Sequence, residues 1–289
     1  MKKVAIMTDT IASVPCELAE KYDIQVIPFY VIIDGKSYRD TDIDKDELYT
    51  RLKQKENLPT TSAPSPEDFF LAYQKLSQKA ESIIHISMTA AFTKEYGAAL
   101  EAKNMAQEKL PKTPIEVIDS KTVEASELLI VLQAARAAAQ GKNLNEVIQL
   151  INNMIPQMNQ LSTRDTLFYL DKGGRIFEAK SWAEAESVNS FRSITEIDAS
   201  TGGITKPLAR AKTKRQIMEK LVDIARTRVG NRRVHAAIAH INVPDQAEQF
   251  REMVLSQFQC DELYVNEASA TMAVQNEEGL IEFGFYSSE

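Results

Sequence analysis

The sequence predicts an α/β protein with an N-terminal parallel sheet flanked by helices and a C-terminal mixed α/β domain. Short β-rich runs alternate with amphipathic stretches up to about residue 160, which is the rhythm of parallel β-α units. Beyond that point a hairpin pattern around Ser200-Thr201-Gly202-Gly203 interrupts the alternation before β-α units resume. A chain of 289 residues, 44% hydrophobic and 26% charged, is of ordinary globular composition and long enough for two domains, 1–160 and 161–289.

The elements follow in order. Residues 4–7 are an apolar run leading into Thr8-Asp9-Thr10 and a polar stretch with Pro15, a buried strand feeding a loop. A short helix covers 17–22. Residues 24–33 are β-rich and divide around Pro28, and Asp34-Gly35 marks a turn. Leu48 and Leu52 carry the helical spacing of 44–56, with Asp44 as N-cap. Residues 59–66, bounded by Pro59 and Pro66, read as a rigid, hydroxyl-rich loop. Ser65 then caps a helix that starts at Pro66 and runs to about 79. A strand over 82–87, a helix over 93–109, a strand over 114–119 and an Ala/Leu-rich helix over 123–140, stopped by Gly141, complete the parallel units. One more helix spans 144–159. Residues 165–170 fit either a short helix or a strand, 171–175 form a tight loop, and 193–197 and 203–209 are the hairpin arms. Thr213 opens a helix over 213–228, followed by a strand at 234–241, a helix at 244–257 and strands at 262–266 and 280–286.

Composition excludes several function classes. With 34 Lys+Arg against 41 Asp+Glu, the net charge of −7 provides no basic field for nucleic acid. No run approaches the roughly 18 apolar residues of a membrane span. The apolar run after Lys2-Lys3 stops at Met7, short of the roughly 7–15 residues of a signal-peptide core, so a cytoplasmic protein is expected. Glycine is scarce, 10 in all, and neither G-x-G-x-x-G nor G-x-x-x-x-G-K-[ST] occurs, which removes nucleotide enzymes built on those cradles. Cys16 and Cys260 lie at opposite ends outside any C-x-x-C pair and are expected to be reduced and packed as small hydrophobes. His85, His235 and His240 sit in or at apolar strands and are expected to be structural. No catalytic residue, cofactor or metal is expected.

Hydroxyls that follow strands stand out: Thr8 and Thr10, then Thr60, Thr61 and Ser62, then Ser87, Thr89 and Thr93. Ligands of open parallel sheets bind at the carboxyl ends of strands, and hydroxyls there can donate to an anion without adding charge. Each alone is an ordinary helix cap or turn former; three such loops on one sheet edge favour a ligand. Lys172-Gly173-Gly174-Arg175 is either a turn or a place where backbone approaches something closely. The cluster Arg210, Lys212, Lys214, Arg215 fits an acidic partner, a phosphate or a solvated charge run.

Taken together, several segments resemble the DegV family of bacterial fatty-acid-binding proteins. They are Thr8-Asp9-Thr10, Gly35 through Asp40, Pro59-Thr60-Thr61-Ser62-Ala63-Pro64, Ile86-Ser87, Val117 through Ser120, Thr166 through Ile176 with its Lys172-Gly173-Gly174-Arg175, Ser200 through Ile204, and Lys212-Thr213-Lys214. Their order spans essentially the whole chain. The resemblance implies a two-domain DegV-like fold that binds one long-chain fatty acid between its domains and presents the carboxylate to a separate fatty acid kinase, without being an enzyme itself. It implies ligand-binding roles for Thr61, Ser62, Thr93, Gln275, Ser87, Thr10 and Arg175, with Phe29, Phe92, Ile86, Phe191 and Phe283 as candidate tunnel walls.

The sequence departs from the family pattern at the implied head-group site. Ala63 replaces the Gln of T-S-Q-P. Phe92-Thr93-Lys94-Glu95-Tyr96 stands for L-S-G-T-Y, so Thr93 keeps a hydroxyl while Lys94 and Glu95 are new. Gln275-Asn276-Glu277-Glu278-Gly279 stands for H-x-G-P-G. Desolvated carboxylates near an acyl carboxylate repel it. The alternative expectation is therefore a member with no fatty acid hand-over that binds a different apolar or cationic-headed ligand, with Glu95, Glu277 and Glu278 lining the mouth.

Overall fold

The computed structural model describes residues 2–186 and 188–287. In chain order the elements are β1 (Lys2–Asp9), α1 (Cys16–Tyr22), β2 (Gln25–Ile27), β3 (Tyr30–Ile33), β4 (Lys36–Arg39), α2 (Lys45–Lys53), β5 (Thr60–Ser62), α3 (Pro66–Ser77), β6 (Ala80–Ser87), α4 (Glu95–Lys109), β7 (Ile115–Asp119), α5 (Glu124–Ala139) and α6 (Leu144–Met154). The second half contributes β8 (Asn159–Arg164), α7 (Phe168–Lys172), α8 (Lys180–Glu186), β9 (Arg192–Glu196), β10 (Lys206–Ala211), α9 (Lys214–Val229), β11 (Val234–His240), α10 (Pro244–Gln257), β12 (Cys260–Glu267), α11 (Ala270–Asn276) and β13 (Ile281–Ser287).

β1 is buried from Val4 onward on both faces, as a central parallel strand must be. It pairs in parallel with β2 and β6, and β7 completes a four-stranded sheet of order β2-β1-β6-β7. Phe69, Tyr73, Ala99 and Ala102 from α3 and α4 pack on Ala5, Met7, Ile83 and Val117 of that sheet. The second sheet has six strands in the order β10-β9-β8-β13-β11-β12 and mixes parallel and antiparallel pairs. Helices α9 and α10 cover one face of it, with Leu221 and Phe250 against Leu161, Ile238 and Phe283.

α5 lies between the two sheets. Its side chains share one core with Val4, Ile6, Ile84 and Ile86 on one side and Ala237 and Ala239 of β11 on the other. Gly284 of β13 passes so close that a Cβ there would strike the backbone at Ala125 and Ser126. This helix is therefore buried along most of its length, which explains its Ala/Leu-rich composition.

The structure amends three readings. The loop over 59–66 contains β5, which pairs antiparallel with β3 through Val31↔Thr61 and completes the three-stranded sheet β4-β3-β5. Two flanking prolines hid a strand of three residues, too short to show a period. The helix over 144–159 stops at Met154, where Pro156 forces a 3₁₀ turn, and β8 begins at Asn159. Gln160, Ser162 and Arg164 of β8 are polar yet buried, so the strand does not alternate between buried apolar and exposed polar positions. α11, which carries Gln275, was not anticipated. Ser269 caps it by accepting from the Met272 N–H.

Candidate functional site

An enclosed slot opens where the small sheet, α11, α7 and the loop after β6 meet the N-terminal end of α5. Ile11, Phe29, Met88, Phe92, Val123 and Met272 form its apolar walls. A water-sized sphere can centre in only about 60 Å³ of the space between them, so the slot is narrow. Among the described residues, no group of three or more His, Cys, Asp or Glu could hold a metal ion, and no helix is long and apolar enough to cross a membrane.

The mouth is made of partly exposed polar residues: Thr61 from β5, Thr93 before α4, Arg175 after α7 and Gln275 from α11. Gln275 Nε2 donates to Thr61 Oγ1 at 3.0 Å, which leaves the Thr61 hydroxyl hydrogen to point elsewhere. The Thr93 hydroxyl accepts from the Glu95 N–H at 3.3 Å and likewise keeps its own hydrogen. Arg175 donates to the carbonyls of Phe92, at 3.2 Å from Nε, and of Gly173. Among the described residues no carboxylate pairs with Arg175, and desolvation holds its pKa below the usual guanidinium range. Gly173 belongs to this arrangement because a Cβ there would collide with Gln275 Oε1.

Deeper in, the slot is lined by Arg164, Thr271, Asn276 and Glu282, all buried. Arg164 and Glu282 come from the polar face of the six-stranded sheet, where Glu282 opposes Ser162 across the β8–β13 ladder. Glu282 accepts from Ser162 Oγ at 2.9 Å and from Gln160 Nε2 at 2.8 Å, and burial pushes its pKa up to about 7. Arg164 donates to Thr195 Oγ1 at 3.1 Å, and burial brings its pKa down to about 10.

Four of the seven residues singled out from sequence gather at the slot: Thr61, Thr93, Arg175 and Gln275. Ser62 is exposed, and its hydroxyl donates to the Ala63 carbonyl. Ser87 is fully buried and bonds the Met88 carbonyl at 3.0 Å. Thr10 donates to Asp40 at 2.6 Å and accepts from the Phe29 N–H at 3.1 Å, so it ties β1 to the small sheet. These three lie outside the slot lining. Of the expected walls, Phe29 and Phe92 line the slot, while Ile86 belongs to the α5 core and Phe283 to the opposite face of the second sheet. Phe191 packs edge-on against Trp182 outside it.

The three acidic departures also turn away from the slot. Glu95 is fully buried, with His85 Nε2 at 3.5 Å; burial, with Asp119 nearby, lifts it to about 8 against the hydrogen bond to Asp9. Glu277 leans on Tyr169, and Glu278 pairs with Lys53 at 2.6 Å. The histidines are structural: His85 bonds the Tyr73 hydroxyl at 2.8 Å, His235 stacks on Tyr286, and His240 lies buried at the end of β11. Cys16 is exposed rather than packed, because it opens α1 at the surface; Cys260 is half-buried. In the basic cluster, Arg210 lies over the Trp182 ring, Lys214 pairs with Asp165 and Arg215 with Glu219. Sequence reading missed Arg164, Asn276 and Glu282, whose burial depends on strands that meet across the β8–β13 ladder and on α11.

Fold and slot together define an α/β protein with a narrow, largely apolar slot behind a hydrogen-bonding mouth. The profile described as "Uncharacterised protein, DegV family" matches residues 3–288, and the chain belongs to the DegV family. A DegV domain-containing protein of Clostridium perfringens is 28% identical over 273 residues, 94% of each chain. Among solved structures, one titled as fatty acid binding of a DegV family protein, from Thermus thermophilus, superposes with a TM-score of 0.91 at 24% identity over 100% of both chains. A stearic acid-binding protein from Eubacterium ventriosum superposes at 0.86 with 21% identity, over 99% of this chain and 98% of its own.

Proposed function

We propose that the protein binds a long-chain fatty acid, with the acyl chain in the slot and the carboxylate at the mouth. The observation that carries this reading is Arg175, a half-buried guanidinium with no anionic partner among the described residues, beside two hydroxyls whose hydrogens are uncommitted. A carboxylate there accepts from Thr61, Thr93 and Arg175 together. Burying the chain contributes about 0.8 kcal/mol per CH₂, so the slot supplies most of the affinity and the mouth fixes the orientation. The fatty acid binding of the Thermus protein and the stearic acid binding of the Eubacterium protein support the same ligand class.

In this reading the protein is a carrier rather than an enzyme. It works in the cytoplasm, and the exposed side of the mouth leaves the carboxyl group within reach of a partner fatty acid kinase. A cationic head group finds less support, since Glu95, Glu277 and Glu278 all lie outside the slot lining.

Native mass spectrometry and lipid extraction of protein purified from a bacterial host test the proposal. A co-purified fatty acid is expected. Empty protein that also ignores added stearate and oleate would sink it. Thr61→Val with Thr93→Val should weaken stearate binding about tenfold or more in a variant that still melts cooperatively, because hydrogen bonds to charged groups contribute about 1.5–3 kcal/mol each. Hand-over is tested by adding a bacterial fatty acid kinase and ATP: the bound acid should be phosphorylated, and no transfer removes the partner from the scheme.

A further inference from the structure

We infer that the slot selects an acyl chain carrying a hydroxyl group along its length over a plain saturated chain. The inference rests on the fatty-acid reading and deepens it. A slot for hydrocarbon alone needs apolar walls throughout, as Phe29, Met88, Val123 and Met272 provide. This slot also contains a buried guanidinium and a buried amide. Arg164 is 2% exposed and Asn276 is 4% exposed, and both line the cavity. Each keeps one buried polar atom without a hydrogen-bond partner: Nε of Arg164, a donor, and Oδ1 of Asn276, an acceptor. The other contacts hold these groups in place, since Arg164 Nη1 donates to Thr195 and Asn276 Nδ2 donates to the Met272 carbonyl at 3.2 Å.

An uncommitted donor and an uncommitted acceptor on two residues that line one narrow space match a hydroxyl, which accepts and donates at once. A methylene chain would leave both unsatisfied in a dry environment, the costly arrangement for buried polar groups. A second carboxylate fits poorly, because Glu282 lines the same space. Glu282 is already held by Ser162 and Gln160, one bond to each oxygen, which fixes its carboxyl group beside the same space. The depth of these groups places the selected hydroxyl inside the slot, away from the partly exposed mouth.

The test is a competition among stearate, 9-hydroxystearate, 10-hydroxystearate and 12-hydroxystearate for delipidated protein, read by native mass spectrometry and calorimetry. At least one hydroxystearate is expected to bind tenfold or more tighter than stearate. Arg164→Met combined with Glu282→Gln removes both charges together, and Asn276→Leu removes the acceptor. Each should bring the preference close to one while stearate still binds, which also shows that the variant is folded. Stearate binding as tightly as every isomer would overturn the inference and indicate that ordered water satisfies Arg164 and Asn276. A preference that survives in both variants would overturn it as well. Failure of all four acids to bind would instead remove the fatty-acid reading, and this inference with it.

Discussion

Gly173 and Gln275 show how one missing side chain shapes the mouth. Gln275 holds Thr61, and it can do so only because residue 173 has no Cβ in its path. Gly173→Ala should push the flexible Gln275 amide out of place, with a stability cost below about 1 kcal/mol. A lower melting temperature together with weaker stearate binding is expected; a variant unchanged in both would show that Gln275 does not position Thr61. Thr93 works differently. Its hydroxyl is anchored by the Glu95 N–H, while the Glu95 side chain is turned into the core toward His85. Glu95, one of the three acidic departures from the family pattern, therefore lies outside the slot lining.

At the scale of elements, α11 links the mouth to the interior. Thr271, Met272, Gln275 and Asn276 fall on one face of its two turns, and all line the slot. A helix of 7 residues depends on its cap, and Ser269 provides it. Ser269→Ala should cost about 1 kcal/mol of stability and weaken fatty-acid binding, measured by thermal melts and calorimetry on the same sample. Unchanged binding would mean that packing alone holds α11. The polar face of β8 is the second such element. Gln160 accepts from the Ser126 N–H at 3.0 Å, and Ser126 Oγ donates to the Asn159 carbonyl at 2.8 Å. These bonds join the six-stranded sheet to the first turn of α5, where an unpaired backbone would otherwise be buried.

For the whole molecule, the two sheets share one helix, and the layers around it bury a set of carboxyl groups. Burial lifts Asp40 to about 6, Glu282 to about 7 and Glu95 to about 8, and Asp9 and Glu127 are also raised by burial. A raised acid pKa means the folded state holds its proton more tightly than the unfolded chain. The resulting stabilisation is complete below the unfolded value of about 4 and is lost as pH rises through the folded values. His85, lowered to about 4 by burial, acts oppositely but only below its unfolded value of about 6.5. Between pH 6.5 and 8.5 the carboxyl groups therefore act unopposed by His85, and the melting temperature should fall. Glu95→Gln should flatten that fall; an equal slope in the variant would show that Glu95 does not carry it.

Local pattern was enough for the strand–helix alternation, for the caps at Asp44, Ser65 and Thr213, and for the family, because each is written in contiguous residues. Thr61, Thr93, Arg175 and Gln275 were legible for the same reason, as parts of short motifs. The strand at 60–62 was not, since only its partner β3 makes it one. Nor were the interior groups of the slot. Arg164 and Glu282 look like ordinary surface charges in sequence, and they are buried because ladder register and a shared helix turn a polar sheet face inward. Burial of that kind is set by which strands meet across more than a hundred residues, and a linear pattern carries no record of it.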